Sequence, residues 1–256
     1  MAILVTNDDG IYSSGISALA EAASLFDDVV IVAPDREQSA IGHAITLTVP
    51  LRITEIKRDG KLFGYAVNGT PADCVKLAVR EIISHPPRLV LSGINFGANT
   101  GAAIIYSGTV SAATEGTLLS VPSIAFSIDS VKGDNLGTAK KVALAVVRYV
   151  LENGIPDDVL INVNIPDLPL EEIKGVKYIK QGKSYFNDWF QRRKDPKGRT
   201  YYWMDGEMIC SDSASYGDYT ALKEGYVAIT PLHLDMTDYK FLSSMRDWNI
   251  DIGGNR

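Results

Sequence analysis

At 256 residues and a hydrophobic fraction of 46%, the chain is long enough to bury a full core and too apolar to be disordered. A net charge of −6 argues against a stable nucleic-acid partner, which would call for a basic surface. No stretch reaches the roughly 20 apolar residues of a membrane helix, and the amino terminus carries no signal-peptide pattern, so a cytoplasmic protein without a membrane partner is expected. Cys74 and Cys210 belong to no CxxC pair and are expected to be free thiols.

The spacing predicts a strand over residues 3–6, running into Asn7-Asp8-Asp9-Gly10. Ile16, Leu19, Ala20, Ala23 and Phe26 then recur at helical spacing, and residues 29–33 form a second apolar run closed by Pro34. This order indicates a right-handed crossover in a parallel sheet. Alternating stretches follow over 44–56 and 62–67, joined at Arg58-Asp59-Gly60, a hairpin signal. Thr70-Pro71-Ala72-Asp73 opens a helix with a capping box. Residues 89–91 read as a buried strand leading into "SGINFGAN", 109–119 as a helix, 122–128 as a strand, 138–151 as a helix and 159–163 as a strand ending near Pro166.

Beyond about residue 165 the character changes. Aromatic and basic residues interleave over 183–202 around the turn Asp195-Pro196-Lys197-Gly198, as in a projecting hairpin. Such interleaving suits either single-stranded nucleic acid or packing on another subunit, and the acidic net charge favours the second. A last strand over 226–230 and a short helix over 239–248 complete the chain. The whole reads as one α/β domain with a core over about 1–165 and 220–232, a hairpin arm over about 183–210 and a tail over about 233–256.

In open α/β sheets ligands bind where the strands' carboxyl ends converge. The first strand is followed by Asp8 and Asp9, the second by a loop containing Ser39, and the 89–91 strand by Asn95 and Asn99. Adjacent carboxylates repel, and each signal alone is compatible with an ordinary turn. Together they form a hard-oxygen donor set suited to magnesium, manganese or calcium, and such a cation relieves the repulsion. "YSGTVSAATEG" places Ser107, Gly108 and Thr109 at a helix mouth, which offers either a phosphate cradle or a simple cap. Gly93 and Gly97 have the wrong spacing for a dinucleotide fingerprint. His85 reads as a surface loop residue; His43, after the Ser39 loop, is within reach of a site but reads first as a solvated loop residue; and His233 stays open between site residue and structural anchor.

"ILVTNDDG", "APDREQSAIGHAIT", "NGTPADCV", "SGINFGAN" and "YSGTVSAATEG" occur in the order and spacing of the SurE family of stationary-phase survival nucleotidases, which the chain resembles over most of its length. The resemblance implies a divalent metal at Asp8, Asp9, Ser39 and Asn95, with Mg²⁺ or Mn²⁺ foremost and Ca²⁺ able to occupy the site. It places Asn99 and Ser107 beside a bound phosphate. It also implies hydrolysis of nucleoside 5′- and often 3′-monophosphates, with a side activity on short polyphosphate in some members. The implied fold is a Rossmann-like parallel sheet sandwiched by helices, with a hairpin arm and an exchanged C-terminal segment that build a homodimer or homotetramer.

The expected chemistry is direct attack of water, with Asp8 or Asp9 taking the proton and the Ser107–Thr109 segment stabilising phosphoryl charge. A covalent aspartyl-phosphate is disfavoured because haloacid-dehalogenase enzymes resemble Asp-x-Asp, and here the aspartates are adjacent. A phosphate-sensing module like a receiver domain needs an aspartate at the end of a later central strand, where this chain has Ser92-Gly93-Ile94-Asn95.

Overall fold

Ile3 and Val5 of β1 (Ala2–Thr6) point into one core cluster and Leu4 into another, all three fully buried. β5 (Leu89–Phe96) repeats this, with Leu89 and Leu91 on one side and Val90 on the other. Strands buried on both faces need helices on both faces, as a parallel sheet built from crossovers provides. The computed structural model describes residues 2–210 and 216–250.

The central strands are β4 (Lys61–Val67), β2 (Asp28–Pro34), β1, β5, β6 (Ser123–Asp129) and β7 (Val159–Pro166), in that spatial order and all parallel. β3 (Ile53–Arg58) adds antiparallel at one edge, while β11 (Val227–His233), antiparallel to β7, and the short β8 (Val176–Tyr178) close the other. The sheet is therefore mixed at its rims. Helices α1 (Ser14–Ala23) and α5 (Leu136–Asn153) cover one face; α2 (Pro71–Leu77) and α4 (Gly108–Leu118) cover the other. The chain leaves β1 toward β2 and returns to the opposite side of β1 at β5, so the strand order reverses between β1 and β5. That reversal opens a crevice at their carboxyl ends.

Local chemistry explains the boundaries. Asp59 and Gly60 both take positive φ, 50° and 76°, the conformation of a two-residue hairpin turn. Thr70 and Asp73 form the reciprocal capping box that the sequence predicts. The strand expected over 44–56 forms only from Ile53. Upstream, the backbone finds its partners on that helix cap: Thr46 N–H donates to Asp73 at 3.0 Å, and the Ala44 carbonyl accepts from the Thr70 hydroxyl at 2.7 Å. The expected terminal helix shortens to α7 (Tyr239–Ser244) plus one 3₁₀ turn. Two short helices, α3 (Ala103–Tyr106) and α6 (Asp218–Lys223), had no clear periodic signal in the sequence. Residues 251–256 of the expected tail lie outside the described residues.

The hairpin arm consists of β9 (Ser184–Lys194) and β10 (Thr200–Cys210), paired in register along their whole length and closed by the Asp195-Pro196-Lys197-Gly198 turn. It forms its own two-stranded sheet.

Helix α1 packs so tightly on the site-bearing end of β5 that a Cβ on Gly15 would overlap the Ile94 carbonyl oxygen. Overpacking of this kind costs about 1–3 kcal/mol. Gly15→Ala should therefore lower the urea midpoint of unfolding by a corresponding amount; a midpoint equal to wild type would show that α1 can slide away from β5.

Candidate active site

The first carboxylate is held by a helix. Thr109 N–H donates to Asp8 Oδ2 at 3.0 Å, and the Thr109 hydroxyl donates to Asp8 Oδ1. Asp8 thus sits on the positive end of α4, where a negative charge is stabilised. Gly108 permits the approach, because a Cβ there would lie 2.8 Å from Asp8 Cβ and 2.9 Å from Asp8 Oδ2. The helix mouth that sequence reasoning offered to phosphate is therefore filled by the chain's own carboxylate. Gly108 and Thr109 do not line the cavity beside it; they stand behind Asp8. Only Ser107 of that segment reaches the cavity, while its hydroxyl oxygen also caps α4 by accepting from Val110 N–H at 3.1 Å.

Asp9 is placed differently. Its Oδ2 is buried without a hydrogen-bond partner among the described residues. Burial, and next the neighbouring Asp8 charge, push the Asp9 carboxyl up from its ordinary 3.8 to about 7; the Phe96 N–H opposes this and Glu37 adds to it. Burial raises Asp8 as well, against the Thr109 hydrogen bonds.

The remaining donors converge from two more strand ends. Ser39, in the loop after β2, donates its hydroxyl hydrogen to Glu37 and leaves its oxygen lone pairs free. Asn95 spends its side-chain N–H on the Gly97 carbonyl at 2.7 Å, so its carbonyl oxygen remains an acceptor. Asn99 is fixed by a buried polar network. Its N–H donates to Asn164 Oδ1 at 2.7 Å, its carbonyl accepts from Asn162 at 2.8 Å and Asn164 at 3.0 Å, and its side-chain amide donates to Ser127 at 2.9 Å. Asn162 and Asn164 escaped the sequence analysis, although two asparagines at i and i+2 inside a buried strand are a legible signal of such a network.

Asp8, Asp9, Ser39, Asn95, Asn99 and Ser107 all face one cavity of about 760 Å³, within the range of small-ligand sites. The hairpin also lines it, through Tyr185, Phe186, Asp188, Met204 and Met208. The charged residues lining it are Asp8, Asp9, Glu37 and Asp188, and among the described residues no Lys, Arg or His does so. An anion cannot enter such a pocket unaccompanied. A bound cation would satisfy the unpartnered Asp9 oxygen, counter the cause of the raised carboxyls and offset the negative charge. No group of three His, Cys, Asp or Glu side chains suited to a metal occurs among the described residues; the donor set here mixes two carboxylates with a hydroxyl and an amide oxygen. Those are hard oxygen ligands.

The family model for "Survival protein SurE" matches residues 3–188. The chain belongs to the SurE family. The 5′-nucleotidase SurE of Syntrophobacter fumaroxidans is 45% identical over 250 residues, 98% of this chain and 100% of that protein. The 5′-nucleotidase SurE of Geobacter metallireducens is 48% identical over 250 residues, covering 97% and 98%. The crystal structure of the SurE protein from Aquifex aeolicus superposes with a TM-score of 0.83 at 46% identity, over 96% of this chain and 98% of that one.

Within this SurE fold the histidines stand outside the cavity. His43 is the exposed loop residue the sequence suggested, and its Nε2 also lies 2.8 Å from buried Glu115, which pairs with Lys76 as well. Burial alone would raise Glu115, but those partners outweigh it and hold the carboxyl low. His233, left open by the sequence, is exposed, and its Nδ1 accepts from Asp235 N–H at 2.9 Å.

Because the folded protein holds Asp9 protonated to higher pH than the unfolded chain, metal-free stability declines as pH rises from 3.8 toward 7, and the full penalty remains above that. In chelator, Asp9→Asn should flatten this decline and raise the melting temperature at pH 8 relative to wild type. A melting temperature lowered equally at pH 5 and pH 8 would contradict the charge argument.

Proposed function

We propose that the chain is a divalent-metal-dependent phosphomonoesterase that converts nucleoside monophosphates to nucleoside and phosphate. The observation that carries this reading is the cavity: a hard-oxygen donor set with an unpartnered buried carboxylate oxygen, and, among the described residues, no basic side chain to meet a phosphate. Family membership and relatives named 5′-nucleotidase support the same substrate class. Turnover of 3′-monophosphates and short polyphosphate belongs to the same proposal.

Asp8, Asp9, Ser39 and Asn95 would hold the cation, and Mg²⁺ or Mn²⁺ suits their oxygens best. When bound, it supplies positive charge that polarises the phosphoryl oxygens and acidifies water. Asp8, with both oxygens occupied by Thr109, is a fixed ligand. Asp9, whose unpartnered oxygen would go to the cation, takes the proton of the attacking water on its other oxygen. Asn99, locked by Asn162, Asn164 and Ser127, and Ser107 at the cavity edge orient the phosphate through hydrogen bonds. Thr109 is a positioning residue for Asp8.

A homo-oligomer through the arm and tail is part of the reading. Trp189, Phe190, Tyr202 and Trp203 on the hairpin, and Tyr239, Phe241 and Trp248 on the tail, all expose large apolar surface. Free Cys74 and Cys210 are in keeping with a reducing cytoplasm. Among the described residues no helix is long and apolar enough to cross a membrane.

Phosphate release from a nucleoside monophosphate panel tests the core of this. Chelator should abolish it, Mg²⁺ or Mn²⁺ should restore it, and Asp9→Asn should reduce kcat by about 100-fold or more. Chelator-insensitive turnover, or a fully active Asp9→Asn, would defeat the assignment. Sedimentation of the wild type against Trp189→Ser/Trp203→Ser should show an oligomer that the double variant weakens; an unchanged assembly would remove the arm from the interface.

A further inference from the structure

One stretch of the hairpin forms a wall of the cavity that the phosphate chemistry does not use. In the β9–β10 register Phe186 faces Met208, Asp188 faces Gly206 and Phe190 faces Met204. Strand alternation puts these pairs on one face of the arm, and Phe186, Asp188, Met204 and Met208 from that face all line the cavity. A Cβ on Gly206 would meet the Phe186 ring at 2.5 Å and 2.9 Å, so the ring lies across the glycine. One side of it is braced by the strand, while 45% of the residue remains exposed. An aromatic plane held this way, flanked by polarizable thioethers, is a stacking platform for a flat ring.

The platform is held at a set position relative to the phosphate end. Ala102 N–H donates to the Ser184 carbonyl at 2.8 Å, and Gln181 donates to the Gly101 carbonyl at 2.8 Å. Fully buried Asp218 joins the two segments, accepting from Gly101 N–H at 3.0 Å and Gly182 N–H at 2.9 Å. The segment that carries Asn99 and the first residue of β9 are thus tied by buried hydrogen bonds.

We propose that this face is a nucleobase subsite in which Phe186, Met204 and Met208 contact the base plane and Asp188 reads its edge, favouring guanine over uracil. The inference rests on the nucleotidase reading above. Among the described residues Asp188 is the one charged group on that wall, and an ionised carboxylate only accepts hydrogen bonds. Guanine offers it two adjacent donors, the ring N–H and the amino group, in a bidentate match. Adenine and cytosine each offer an amino group. Uracil offers a single N–H flanked by two carbonyl oxygens that a carboxylate repels.

The test compares kcat/KM for GMP, UMP and ribose 5-phosphate, which carries the phosphate and sugar without a base. Phe186→Ala should lower the GMP to ribose 5-phosphate ratio by about tenfold. Asp188→Asn should lower the GMP to UMP ratio by about tenfold, since a charge-assisted pair is lost on one substrate and a repulsion on the other. Ratios unchanged in both variants would overturn the subsite. A wild type inactive on all three compounds with metal present would instead remove the nucleotidase reading, and the subsite with it.

Discussion

The seating of the Asp8 carboxylate on the amino end of α4 is the contact on which the site depends. It brings a strand end from one side of the sheet's reversal point onto a helix from the β5–β6 crossover, through two Thr109 donors and a glycine that leaves room for them. The dipole and the hydrogen bonds favour the charged form, while burial opposes it. With Asp8 fixed in this way, Asp9 is left beside a charge it cannot avoid and with an oxygen that no protein group satisfies. A tertiary arrangement that isolates a carboxylate this far is stable only in company with a cation or a proton.

The same economy of contacts governs the rest of the cavity. Asn99 owes its position to two asparagines and a serine on neighbouring strands, so its end of the cavity is built on the sheet rather than on a free loop. Asp218 gathers backbone donors from both the Asn99 segment and the hairpin root. The arm, which could have been a detached appendage, becomes a wall of the active cavity. The arm's aromatic residues and the donor residues of the strand ends thus share one cavity.

Much of this was legible in residues alone. Alternating apolar runs and helical spacing located the central strands and α1, α2, α4 and α5, because each buries a continuous face whose period is set by local geometry. The capping box at Thr70 and Asp73 and the Asp59-Gly60 turn were equally local, and both are present. Residues 44–52 failed as a strand because their backbone groups pair with a helix cap, a competitor that alternation does not reveal. Helix α6 is too short for a periodic signal, and its buried Asp218 is explained only by the segments it joins.

What the sequence determined by itself was the chemistry: two adjacent carboxylates, a hydroxyl and amide oxygens, each following a strand, in a parallel α/β order whose strand ends must converge. That follows from covalent order and from the handedness of crossovers, both of which act locally. What only the tertiary structure decided was the use of each group. Gly108 and Thr109 turned from phosphate cradle to brace for Asp8, His43 became a partner of Glu115, and the hairpin acquired a face toward the cavity. Those roles depend on which side chain from a distant segment arrives first at a given donor, and no spacing along the chain encodes that encounter.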